Sequence, residues 1–360
     1  MYRANYVSAA KDPMVYLVSH TWADRFEKGR RRATIEAYSN CDSVLLYNDM
    51  SNEKVTYLGR KKNNGIGTHF MWENRDIRYN VLRAVGYYKG KAVAEDILVL
   101  NGLEQSPHFG ILYQDTKPLL KGEDGYNYLY RINCGGDDFT DSFGQLWMQD
   151  NTNYSRSWAA SFNELNPYLA SQRTTNDPIR GSRDWKLFQH FRFGRHQLEY
   201  NFPVADGMYR IEFYFTEPWH GTGGSASTDC EGLRIFDVAV NDSVVLDDLD
   251  IWAESGHDGA CKKVVYAIIK GGLLKIHFPE VKAGQALISG IAIASANSDL
   301  KPTLFPASDW NWEKASKEVM EKTPKELLPE DKNARVSVAY EAEAAVLKGK
   351  FQKKEHRKQM

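Results

Sequence analysis

Trp219 and His220 stand between Pro218 and the run Gly221-Thr222-Gly223-Gly224. A flat ring beside a polar side chain on a turn suits saccharide recognition, because sugar C–H faces stack on aromatics while their hydroxyls need fixed donors and acceptors. Leaving a large apolar side chain in water forgoes about 1.5–3 kcal/mol of burial. A Trp held on a loop by Pro218 and Gly221 therefore reads as a ligand platform; the competing reading is that it caps the end of a sandwich. A second group runs from Trp147 through Gln149, Asp150 and Asn151 to Tyr154, with Trp158 following. It mixes aromatics, amides and an acid without strand periodicity, which favours a binding loop. Either Tyr154 or Trp158 is expected to touch ligand, and the sequence does not choose between them.

Other clusters lack the spacing their chemistry needs. Asp137, Asp138 and Asp141 adjoin glycines and offer oxygens to Ca²⁺, but the fixed spacing of a calcium loop is missing, so they read as turn acids. Gly221-Thr222-Gly223-Gly224-Ser225 has no Lys-Ser/Thr ending and no helix pattern after it, so it is not a phosphate loop. No GxSxG nucleophile turn occurs. His20, His190, His220 and His257 read as polar surface or core partners. The expectation is no catalytic residue, no metal and no cofactor.

The chain has 360 residues, enough for two or three domains. Lys and Arg number 46 against 47 Asp and Glu, so there is no basic field to draw nucleic acid. Aromatics are abundant, with 20 Tyr, 16 Phe and 9 Trp, more than a routine core requires. Cys41, Cys134, Cys230 and Cys261 form no CxxC pair, which argues against zinc. Cys230 and Cys261 flank one sandwich segment and stand open between a disulfide and two buried thiols. Residues 1–11 lack the apolar run of a secretion signal, and no stretch approaches the roughly 20 apolar residues of a membrane span. An export signal is expected upstream.

Short alternating runs bounded by Gly, Asn and Asp predict an all-β chain. The first set is Ala33–Tyr38, Ser43–Tyr47, Val55–Leu58, Ile77–Gly86 and Ala92–Leu100, an immunoglobulin-like sandwich at 23–104. A polar, Pro- and Gly-containing stretch at 105–125 reads as a linker or strap. Leu198–Val204 and Tyr209–Phe215 alternate on either side of Asp206-Gly207 and predict a hairpin. With Leu233–Val240, Val264–Ile269, Leu273–Phe278 and Ile288–Ala294 they give a second sandwich at 126–297. Residues 298–360 are Pro-punctuated and charged, with one short helix expected within Trp312–Leu328 and a basic, solvated end at Lys348–Lys358.

Four blocks in order resemble a malectin domain: YRINCGG at 130–136, YRIEFYFTEPW at 209–219, IFDVAVN at 235–241 and VLDDLDI at 245–251. The resemblance implies a jelly-roll-like sandwich that binds carbohydrate without chemistry. It places an aromatic pair on Trp219 and His220, with His departing from the usual second aromatic. It also carries ligand contact to Phe193, at the end of QHFRF at 189–193, where core packing beside Phe191 is the equal alternative, and to an acid near Glu280. Asp247, Asp248 and Asp250 read as structural turns. The front blocks PMVYLVSHTW at 13–22, AYSNCDSVLLY at 37–47, LGR at 58–60 and LRAVGYYKG at 82–90 are similar to the region after the barrel of glycoside hydrolase family 2 enzymes of the β-galactosidase type. That implies that residues 1–22 end an upstream catalytic domain or connector, and that the catalytic carboxylates precede residue 1. AYEAEAA at 339–345 resembles the opening strand of a further carbohydrate-binding sandwich, against an ordinary charged tail.

The reading is a non-catalytic accessory region that holds an oligo- or polysaccharide near an upstream barrel, periplasmic or extracellular, with no nucleic acid and no membrane span. Two rivals are a fragment that itself hydrolyses glycosides, through carboxylates about 5–9.5 Å apart, and a structural spacer without sugar binding.

Overall fold

The computed structural model describes residues 2–26, 32–150, 155–158, 172–194, 196–221 and 229–302, with the backbone alone at 2, 155–158 and 196–197. Tyr154, the helix expected within 312–328, the likeness at 339–345 and the basic end lie outside the described residues.

The described chain is almost wholly β. Val15–Val18, Arg32–Ser39 and Phe70–Asp76 form a three-stranded sheet in that order. Tyr57–Lys62, Ser43–Tyr47, Val81–Tyr88 and Lys91–Val99 form a four-stranded one. Alternation in Arg32–Ser39 turns Ile35 and Ala37 inward beside Val15 and Leu17, where they share one core with Val44, Leu46, Trp72, Leu82 and Leu98. The front sheet thus begins inside residues 1–22, with Val15–Val18 paired to Glu36–Ser39. The run expected at Val55–Leu58 lies instead at Tyr57–Lys62, an edge strand whose polar, exposed residues mute the pattern. Phe70–Asp76 was not expected at all, since only Phe70 and Trp72 alternate and the rest of its residues are exposed. Gly86 sits where a Cβ would meet Val15 Cγ2 at 2.6 Å and Cys41 Sγ at 2.7 Å. Gly86→Ala should therefore cost about 1–3 kcal/mol of overpacking strain, read as a lower urea midpoint; an unchanged midpoint would contradict this packing.

The second part holds two six-stranded sheets. One runs Cys261–Ile269, Gly207–Phe215, Gly290–Ser295, Asn127–Asn133, Leu146–Gln149, Phe139–Thr140. The other runs Ser155–Trp158, His196–Pro203, Leu273–His277, Ile235–Val240, Ser243–Leu249, with Val281–Ala283 added on Ile235–Val240. Gln172–Thr174, His190–Gly194 and Ala286–Ile288 make a small third sheet. Phe213, Phe215, Phe236, Tyr200, Phe202 and Ile276 fill the space between. The expected hairpin about Asp206-Gly207 does not form. His196–Pro203 pairs with Leu273–His277, whereas Gly207–Phe215 pairs with Cys261–Ile269 and Gly290–Ser295. The turn carries the chain from one sheet to the other, because alternation reports a buried face and not the neighbour across it.

Segment 105–125 is packed. Phe109, in the short 3₁₀ turn Phe109–Tyr113, and Leu120 join Val81 of the front sheet and Trp147, Trp185 and Tyr214 of the second part in one apolar cluster. Trp147, expected in a binding loop, is wholly buried there and donates Nε1–H to Asp141 Oδ2 at 2.9 Å. Asp141 Oδ1 also accepts from the amides of Phe143 and Gln145, as a turn acid does. All four cysteines are free and buried.

Candidate functional site

The strand Gly207–Phe215 ends at Thr216-Glu217-Pro218, and Trp219 and His220 follow. What aims them is Glu217. Its Oε1 accepts the backbone N–H of Trp219 at 3.0 Å and of His220 at 3.1 Å, while its Oε2 pairs with Arg234 Nε. Glu217 and Arg234 are 0% and 1% exposed. Burial works against the Glu217 charge, but Arg234 and these donors outweigh it and hold its pKa below the ordinary glutamate value. The Arg234 guanidinium lies 5.0 Å from the Trp219 ring centroid, a cation–π distance, and Arg234 Nη1 also donates to the Gln285 carbonyl. Phe191 and Phe193 meet the indole edge-on at 5.4 and 5.2 Å. At Gly221, φ is +88° and a Cβ would meet Trp252 Nε1 at 2.6 Å, so the turn requires glycine.

Trp219 is thus half-buried on a scaffold of rings and charge, and it borders a cleft of about 650 Å³. The opposite wall comes from the front sheets: Tyr16, His20 and Asp96. Asp177, Pro218, His257 and Asp258 complete it from the second part. His20 bridges the two parts, with Nε2 at 2.8 Å from Asp96 Oδ2 and Nδ1 against Asp177 Oδ1. Tyr16 stacks on its ring at 4.9 Å. Burial opposes the His20 charge, yet the two carboxylates prevail and raise its pKa well above 6.5. Burial also lifts Asp258 to about 6 against the pull of His257. His220 goes the other way: burial, aided by Arg234, lowers its pKa despite Glu217. That shift favours the neutral imidazole, which can donate and accept.

Of the residues expected from sequence, the structure brings together Trp219, His220 and Phe193, with different roles. Phe193 is 5% exposed, so it offers no open face and instead buttresses Trp219. Its ring packs in the core cluster with Phe191 and Leu287. Trp158 pairs by its backbone with His196. Glu280 is exposed and is not among the residues lining the cleft; its carbonyl accepts from Asp237 N at 2.9 Å, which holds it at the strand Ile235–Val240. Asp250 caps the helix Ile251–Ser255 through Ala253 N, while Asp247 and Asp248 lie in a strand. Sequence reading missed Glu217, Arg234, His20, Asp96, Asp177 and Asp258. Only the glycine-bracketed His257-Asp258 could have drawn attention, since His20 and Asp177 stand 157 positions apart.

These features define a tandem all-β chain with a cleft at the junction of its two parts. Residues 128–298 match the malectin domain family model. Among curated proteins, Malectin of Danio rerio is 27% identical over 150 residues, covering 41% of this chain and 47% of its own length. Malectin of Mus musculus is 26% identical over 149 residues, covering 41% and 45%. The chain thus spans about half the length of these relatives. Among solved structures, a Bacteroides uniformis β-glucuronidase aligns over 81% of this chain and 30% of its own at 21% identity and a TM-score of 0.36. The ANX2 ectodomain from Arabidopsis thaliana aligns over 81% and 84% at 12% identity and a TM-score of 0.40.

Proposed function

We propose that this chain binds carbohydrate in the cleft beside Trp219, as a non-catalytic accessory region of a glycoside hydrolase of the β-galactosidase type. The observation that carries it is the indole held at the mouth of that cleft by Glu217 and Arg234, inside the stretch that matches the malectin domain model. Sugar recognition needs one ring fixed in place and polar groups around it. Here Asp96, Asp177 and His257 line the cleft with Trp219, whereas His220, next in the chain, is not among the lining residues. The tie to an upstream barrel rests on the front sequence blocks, and a periplasmic or extracellular setting follows from that tie. Tethering would raise the local concentration of glycan at the active site without new chemistry, and affinities of about 4–8 kcal/mol suffice.

A glycan array tests the reading. Wild-type protein should retain one family of oligosaccharides, and Trp219→Ala should lose at least about tenfold in apparent affinity, or 1.4 kcal/mol, with an unchanged circular dichroism spectrum. Binding that is indifferent to this change would refute it. Turnover of aryl glycosides that one carboxylate substitution abolishes would favour the enzymatic rival.

A further inference from the structure

Asp177, His257 and Asp258, which line the same cleft, bring an imidazole nitrogen and two carboxylate oxygens within 4.8 Å of one another. The backbone at Asp258 is tied to its neighbours: Asp258 N donates to Glu217 O at 2.9 Å, Arg180 N to Asp258 O at 2.8 Å, and Ala260 N to Arg180 O at 2.9 Å. His257 Nδ1 is 3.1 Å from the Glu217 carbonyl oxygen. A carbonyl only accepts, so Nδ1 carries the proton, and Nε2 turns toward Asp258 Oδ2 at 2.9 Å. An imidazole lone pair and a carboxylate oxygen at that distance repel unless a proton or a metal ion lies between them. A shared proton serves Oδ2 alone, whereas an ion chelated by both oxygens would also serve Oδ1, which has no hydrogen-bond partner among the described residues although Asp258 is only 7% exposed. Such a buried acceptor is costly. Arg180, which lines the same cleft, spends Nη2 on the carbonyls of Ser255 and His257.

We propose that Asp177, His257 and Asp258 form a three-ligand site for a divalent transition-metal ion, with Zn²⁺ the best fit. One imidazole nitrogen with two carboxylates suits a borderline ion. Ca²⁺ would want six to eight oxygens. Three protein ligands leave the remaining position open to the cleft, and Asp258 Oδ1 gains the partner it lacks. His20, gripped between Asp177 and Asp96, positions the Asp177 ligand from the front sheets as an outer-shell group. The site would thereby staple the two parts of the chain. This inference stands apart from the sugar reading, and either can fail without the other.

Titration calorimetry on chelator-stripped full chain with ZnCl₂, MnCl₂ and CaCl₂ tests it. One Zn²⁺ per chain, bound more tightly than Ca²⁺, is expected. Asp258→Asn and His257→Gln should each weaken binding about tenfold or more, the scale on which even outer-shell partners act. Absence of stoichiometric Zn²⁺ binding, preference for Ca²⁺, or undiminished affinity in both variants would overturn it. X-ray absorption on the Zn²⁺-loaded wild type needs no folded variant: one imidazole with oxygen neighbours supports the site, and sulfur neighbours or no imidazole would overturn it.

Discussion

Arg234→Met should lower the stability of the second part of the chain by about 3–5 kcal/mol, the cost of stranding one member of a buried ion pair. Arg234 is the charge partner of Glu217, and both are sealed from water. Methionine fills much of the same volume, so packing alone does not account for a loss of this size. The double variant Arg234→Met/Glu217→Gln should be less damaged than Arg234→Met, because the stranded carboxylate is gone. It should still bind glycan poorly, since Trp219 loses the guanidinium at its ring and the carboxylate that held its amide. Urea denaturation of the three proteins checks this; equal midpoints for wild type and Arg234→Met would contradict it.

Glu212→Gln should cost about 3 kcal/mol near pH 7, the lower edge of the range for breaking a buried charge network. Glu212 accepts from Arg210 Nε at 2.9 Å, from the Tyr128 hydroxyl at 2.8 Å and from the Tyr214 hydroxyl at 2.5 Å, and pairs with Lys262 at 3.0 Å. Arg210 keeps Glu123, and Lys262 keeps the Leu119 carbonyl, which moderates the loss. Burial pushes the Glu212 pKa up, but Tyr214, Lys262 and Arg210 together hold it below 4.5. A folded-state pKa below the unfolded one gives stability that is complete above about 4.5 and disappears as pH falls through the depressed value. Wild type should therefore lose melting temperature between pH 5 and more acidic conditions more steeply than Glu212→Gln. Parallel acid limbs for the two proteins would show that this carboxylate is not held as described.

The sequence made the class of fold plain because half-buried strands advertise themselves by alternation. Ser43–Tyr47 lies where it was expected to the residue, and Tyr209–Phe215 falls within a strand. Edges and crossings were hidden. Tyr57–Lys62 is exposed and polar, so its pattern is faint, and the chain from Pro203 to Gly207 changes sheets without any local mark. Trp147 was misplaced for a related reason: its strand is too short to show a period, so a core tryptophan looked like a loop one.

The site was legible only along the chain. Trp219 and His220 stand out beside Pro218 and Gly221, and the structure sets the indole at a cleft. Phe193 shares a strand face with Phe191, and of the two readings open for it, ligand contact and core packing, the structure shows its ring buried against Trp219. The facing wall comes from His20 and Asp96, which no spacing rule joins to Asp177. Glu217 escaped notice because a single acid at a strand end carries no motif; only its buried pairing with Arg234 gives it a role.

The most direct test of saccharide binding at Trp219 is its indole N–H resonance in a ¹⁵N-labelled sample, assigned by comparison with Trp219→Phe and followed while a retained oligosaccharide is added. A saturable shift of that resonance is what sugar contact at the cleft predicts. Saturable binding that moves other signals and leaves this one still would contradict it.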